Sequence, residues 1–140
     1  MTKYQRFEDL PVWQMARELV NTTYDLTEKG DFSRDFALRD QIRRAAVSIM
    51  SNIAEGFESA SDTNFVRYLG YSKSSTAEVR SQLYILLDRK YISNDEFQTA
   101  ISLANSCGSQ LIGLIRYLQS NPKSHRISEG RNEYEIPSED

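Results

Sequence analysis

The chain has one cysteine and one histidine in 140 residues, and that shortage removes most familiar chemistries. A lone Cys107 excludes an internal disulfide. The one histidine, His125, lies in a polar stretch near the C-terminus. Ser-His and Cys-His nucleophile pairs are therefore not to be expected. Nor are phosphotransfer on a bundle histidine, the Glu-x-x-His ligands of a di-iron bundle, or a helix-borne Arg-x4-His ribonuclease site. One cysteine and one histidine cannot build a zinc site, and no metal or cofactor is expected. Glycine is sparse, at 6 residues, and Gly108 and Gly113 match no phosphate-cradling spacing. Long apolar runs are missing too, with nothing near the roughly 18 residues of a membrane span. The opening MTKYQRFEDLPVW has no apolar h-region. With the single cysteine, this points to a reducing cytoplasm.

A basic excess is also lacking. Net charge is −3; residues 121–140 hold 3 basic and 5 acidic side chains, which leaves 14 and 15 in residues 1–120, a net of −1. A strongly nucleic-acid-binding domain carries a basic surplus. Any basic patch here must be local.

What the chain does have is helical rhythm. Asp9 is placed to cap a first helix, with Pro11 in its first turn. Val12, Ala16, Leu19, Thr23 and Leu26 follow 4-3 spacing, widened by Trp13 and Val20, until Lys29-Gly30-Asp31 breaks it. A second helix is expected from about Ser33 to Glu55. Ser61 or Asp62 caps a third, carrying Phe65, Leu69, Ser72, Thr76, Val79, Leu83 and Leu86. Ser93 or Asn94 caps a fourth, with Asp95 and Glu96 in its first turn, where the helix dipole favours acids. Its stripe is Phe97, Ile101, Ala104, Gly108, Leu111, Ile115 and Leu118. No segment alternates with period two, so no sheet is expected. The fold class that follows is all-α: an up-down-up-down, left-handed four-helix bundle over residues 1–120. Residues 121–140, with Pro122, Gly130 and Pro137, read as a flexible polar tail.

The second helix is unusual. Leu38, Ile42, Ala45, Ile49 and Ile53 share an apolar arc, and Gln41, Arg44, Ser48, Asn52 and Glu55 form a polar stripe beside it. Val47, Met50 and Ala54 make a smaller apolar strip on the far side, interrupted by Arg43. Two apolar sides point to burial against more than the helix's own bundle. Gly56 is placed to end the helix in the left-handed conformation. In the third and fourth helices, Ser72, Thr76, Ala104 and Gly108 narrow the stripes in mid-helix. That is either a tight waist in the core or, through Ser72-Lys73-Ser74-Ser75, a docking surface for a neighbouring subunit.

Charged residues leave two readings open. Arg39, Arg43 and Arg44 fall close together. They either pair with Asp35, Asp40, Glu55 or Glu78, or form a phosphate-contacting patch repeated in an oligomer. Asp35 and Arg39 have the favourable acid-first i,i+4 spacing. Glu55 sits where an acid opposes the helix dipole, so a cation from another helix or subunit is expected near it. Asp40, Glu55 and Glu78 are the carboxylates an enzyme would have to use. Their spacing suits structural partners for Arg43, Arg44 and Lys73 better than an acid/base pair. Cys107, beside Gly108, reads as a small core residue.

These residues carry a resemblance. Phe7, Leu10, Val12, Trp13 and Ala16 begin it. Its centre is Gln41-Ile42-Arg43-Arg44-Ala45-Ala46-Val47-Ser48-Ile49, followed by Asn52-Ile53-Ala54-Glu55-Gly56, and it continues through Phe65, Leu69, Glu78 and Leu83. Over about residues 7–118 the chain resembles the four-helix-bundle proteins of the 23S ribosomal RNA intervening-sequence family. Where that family tends to have Ala-Lys/Arg-Gly-Ser, this chain has Ser72-Lys73-Ser74-Ser75. The resemblance implies a left-handed bundle and a ring-shaped homopentamer. It also implies an association with nucleic acid.

The expected function is therefore a non-enzymatic, cytoplasmic, oligomeric scaffold contacting RNA or a ribonucleoprotein through Arg39, Arg43, Arg44 and Lys73. The alternative is a protein-interaction adaptor whose arginines serve subunit assembly. No small-molecule substrate and no membrane association are expected.

Overall fold

The computed structural model describes residues 2–120, 125–128 and 131–136. Four helices dominate it: α1 (Pro11–Thr27), α2 (Phe36–Glu58), α3 (Asp62–Asp88) and α4 (Asn94–Ser120). Each packs on its neighbour in sequence, and α1 closes against α4. The links at residues 59–61 and 89–93 are short, so the helices they join fold straight back on one another. This is an all-α four-helix bundle.

The apolar stripes meet along one core. Val12, Ala16, Leu19 and Leu26 of α1 are buried, with Ile42, Ala45, Ile49 and Ile53 of α2. All seven residues of the α3 stripe are buried. On α4, Cys107 and Leu114 take core places that the 4-3 spacing assigns to Gly108 and Ile115. Burial pushes the Cys107 thiol up to about 12, so it stays protonated and acts as a small apolar side chain. The mid-helix waist is real packing. Ser72 Oγ donates to the Ile49 carbonyl at 2.8 Å, and Thr76 Cγ2 lies 3.6 Å from where a Cβ on Gly108 would stand.

Several helix ends differ from the expected ones. Asp9 does not cap α1; it closes a single 3-10 turn, Phe7–Asp9, and Leu10 is the N-cap. A 3-10 segment, Gly30–Arg34, delays α2 until Phe36, and Asp35 caps it by accepting from the Leu38 N–H. Asp35 also accepts from the Tyr91 hydroxyl at 3.0 Å, so the expected pairing with Arg39 is not the one made. Ser61 caps α3. Ser93 forms a capping box with Glu96: Glu96 N–H donates to Ser93 Oγ at 3.1 Å, and Ser93 N–H donates to the Glu96 carboxylate at 2.9 Å. Gly56 is not the C-terminal stop. It is buried inside α2, against Phe65 and Tyr68, and the left-handed residue is Ala60 at φ 62°.

The expected absence of any sheet is corrected as well. β1 (Thr2–Tyr4), β2 (His125–Ser128) and β3 (Arg131–Ile136) form an antiparallel sheet in the order β1-β3-β2. Tyr4 pairs with Tyr134, and Ser128 with Arg131 across the hairpin. Tyr134 is 1% exposed, its ring 4.9 Å from Phe57 and 4.8 Å from Phe65. One aromatic anchor holds this sheet to the bundle where α2 ends and α3 begins. Tyr134 and Ile136 are the buried pair on β3, and two apolar residues in a polar stretch are too short an alternation to read as a strand, so the sequence pattern there resembles a tail. Pro122, Gly130 and Pro137 lie outside the described residues.

Candidate nucleic-acid interface

The arginines of α2 divide between two sides of the helix, because successive residues turn by about 100°. Arg39 and Arg43 lean toward α1 and the loop before α2. Arg43 Nε donates to Thr27 Oγ1 at 2.7 Å, and its guanidinium lies 4.4 Å from the centre of the Tyr24 ring. Arg39 donates to the Ser33 carbonyl at 3.2 Å and to Asp40 at 3.4 Å, and covers the Phe36 ring at 4.7 Å. Both are half-buried and held in place. They are more structural than available.

Arg44 is different. It is exposed and makes no ion pair among the described residues. It lines two adjoining hollows, one with Tyr24, Asp40, Arg43 and Val47, the other between α2 and α3. Phe36, Asp40, Arg44, Val47 and Ser51 follow one outward stripe of the helix, and Phe36 and Val47 are 61% and 38% exposed. Met50 and Ala54, the rest of the expected second apolar strip, pack against the chain's own core. Only part of that strip is left uncovered.

The polar stripe of α2 becomes a seam with α3. Ser75 Oγ donates to Ser48 Oγ at 2.9 Å, and Asn52 Nδ2 donates to the same oxygen at 3.0 Å. At the other end Gln82 Nε2 reaches Gln41 Oε1 at 3.3 Å and Glu78 Oε2 at 3.5 Å. Gln41, Arg44, Ala45, Ser48, Ser75 and Glu78 line the hollow that results, of about 340 Å³. Gln82 is not among the site residues expected from sequence. Its only trace there is a polar residue four positions after Glu78, beside the apolar stripe.

The remaining expected residues stand apart from this seam. Lys73 is exposed, but two positions from Ser75 is about 200° around α3, so it faces away from Arg44. Trp13 is buried, edge-on to Phe7 at 5.3 Å, and belongs to the core. Glu55 is exposed and makes no ion pair among the described residues. Asp40 lines one hollow and Glu78 the other, while Glu55 is about 22 Å of helix beyond Asp40. The three carboxylates do not converge. Among the described residues no group of three or more His, Cys, Asp or Glu could hold a metal, and no helix is long and apolar enough to cross a membrane.

Most of the bundle matches a known family. The family model of the 23S rRNA-intervening sequence protein matches residues 8–113. The chain belongs to that family. Its fold is similar to that of a crystallised protein with unknown function, from the S23 ribosomal protein family of Bacteroides thetaiotaomicron. The TM-score is 0.70 at 21% identity, covering 75% of this chain and 95% of that one. At that identity the likeness concerns the fold alone. No curated protein matches the chain. The α2 string from Gln41 to Gly56 thus sits inside the family's matched region, whereas β1, β2 and β3 lie outside it.

Proposed function

We propose that the protein is a non-enzymatic cytoplasmic scaffold that assembles with copies of itself and contacts RNA or a ribonucleoprotein through Arg44. Arg44 carries this reading. Alone among the three clustered arginines of α2, it is exposed with its five donors uncommitted, and it lies between two hollows. Repetition around a ring, the homopentamer that the family resemblance implies, would gather one such guanidinium per subunit. A near-neutral chain would then present a local array of phosphate-contacting groups. Exposed Phe36 and Val47 on the same stripe supply apolar area for contact between copies. Arg39 and Arg43 serve as supports for α2, and Lys73 as a separate, weaker contact.

A protein-interaction adaptor with no nucleic-acid role is the second reading. The balance of 14 basic against 15 acidic side chains in residues 1–120 favours it. The two readings separate in one experiment: binding of single-stranded RNA by fluorescence anisotropy, with oligomeric mass measured on the same sample. Contact with roughly 6–10 phosphates of a single strand predicts affinity falling by orders of magnitude between about 50 and about 200 mM salt. An intact oligomer that binds no RNA at the lower salt leaves the adaptor.

A further inference from the structure

The hollow between α2 and α3 is chemically divided. Donors lie along its α2 wall. Arg44 is uncommitted, and Ser48 Oγ already accepts from Ser75 and Asn52, so its own proton is free for the hollow. Acceptors crowd its other end. There Glu78 Oε2 and Gln41 Oε1 share the single amide group of Gln82, through bonds of 3.5 and 3.3 Å that are long for N–H···O. Gln82 itself is 7% exposed and is not one of the residues lining the hollow; its Oε1 meets no donor among the described residues. The Glu78 carboxylate and Gln41 Oε1 are thus short of donors, while Arg44, lining the same hollow, has no ion pair among the described residues.

A planar ligand that satisfies both ends needs two neighbouring donors and two neighbouring acceptors. Guanine has that pattern, with N1–H and N2–H2 side by side and O6 and N7 on the adjoining edge. Adenine, cytosine and uracil each set an acceptor beside their donor, which would turn a lone pair toward the Glu78 carboxylate. The hollow, at about 340 Å³, has room for one base. Tyr71, 50% exposed, lies one turn from Ser75 on the same face of α3, where a neighbouring base finds a ring to stack on.

We propose that this groove reads a guanine of unpaired RNA, with Glu78 accepting from N1–H and N2–H2 and Arg44 donating to O6 and N7. The proposal rests on the RNA reading above, and its test separates the two. A uridine oligoribonucleotide carrying one central guanosine is compared with the all-uridine oligomer of the same length, by anisotropy at low salt. The guanosine oligomer is expected to bind about tenfold more tightly. Glu78→Gln is expected to abolish that preference, so that the guanosine and all-uridine oligomers bind the variant equally; Glu78 is exposed, so the bundle stays folded. Inosine in place of guanosine, which lacks the N2 amine, should give an intermediate affinity. Equal binding of the guanosine and all-uridine oligomers overturns the guanine site and leaves the RNA reading standing. A preference that survives in Glu78→Gln overturns it too. Failure of both RNAs to bind overturns both readings.

Discussion

Gly56 of α2 lies so close to Tyr68 of α3 that a Cβ placed on it would stand 2.8 Å from the Tyr68 Cβ. It would also stand 2.9 Å from Phe65 Cδ1 and 3.3 Å from the Phe65 carbonyl. The Tyr68 Cβ and the carbonyl are fixed to the helix backbone, so neither can swing aside. The two helices would have to separate. Gly56→Ala is expected to lose about 1–2 kcal/mol in urea unfolding, an overpacking cost partly offset by the better helix propensity of alanine. An unchanged midpoint would mean that the close approach is not maintained.

Four residues further on, Ala60 holds φ 62°, in the left-handed region that costs a side chain about 1 kcal/mol. Ala60→Gly removes that strain and should raise the unfolding midpoint by a corresponding amount. A drop in the midpoint would contradict the assignment of Ala60 as the residue that turns the chain out of α2.

A helix end and a tight helix crossing both call for a residue without a Cβ, and the string around Gly56 does not distinguish them. The glycine is legible in the sequence; its place in the fold is not. The apolar stripes are legible because burial on one face leaves a 3.6-residue period, and all seven positions of the α3 stripe are buried. The arginines are less legible. Arg39, Arg43 and Arg44 look alike in a string, yet the partners that hold two of them, Thr27 with Tyr24 and Ser33 with Phe36, come from other segments or from the helix start. Gln82 escapes a sequence reading because a buried amide among apolar neighbours leaves no periodic signal.

Tyr134 should decide whether the terminal sheet stays on the bundle. Tyr134→Ala empties the space against Phe57 and Phe65. The loss is limited to about 3 kcal/mol, because the strands can detach locally instead of leaving a cavity in an intact structure. Hydrogen exchange at the backbone amides of β1 and β3 should accelerate while α2 and α3 stay protected. Unchanged exchange in β1 would show that the tyrosine is not the anchor.

Acid sensitivity has a defined contributor at the start of α4. The Lys29 ammonium beside it and the Ser93 N–H hold the Glu96 carboxyl below the usual carboxylate range. A lowered folded-state value means that this stabilisation is fully present above about pH 4.3, the ordinary value for glutamate. It fades as pH falls through the lowered value. Glu96→Gln should therefore flatten the stability profile below about pH 4.3 and remove a constant increment above it. A profile that remains parallel to the wild type throughout would contradict this origin.

The two adjacent arginines of α2 should behave differently when each is replaced. Arg43→Gln removes the bond to Thr27 and the contact with the Tyr24 ring, and is expected to cost about 1 kcal/mol of stability. Arg44→Gln, on an exposed side chain without an ion pair, should leave the unfolding midpoint within about 0.5 kcal/mol of wild type. Equal losses would mean that Arg44 also supports the fold.

The central claim, that Arg44 is the group offered to RNA, is tested most directly by RNA affinity of Arg44→Gln and wild type across a salt series. Oligomeric mass is recorded on each sample. The expected result is an intact oligomer whose affinity falls and whose salt slope shrinks by about one for every phosphate that the guanidinium no longer meets. Wild-type affinity and slope in a folded, assembled Arg44→Gln protein would contradict the account.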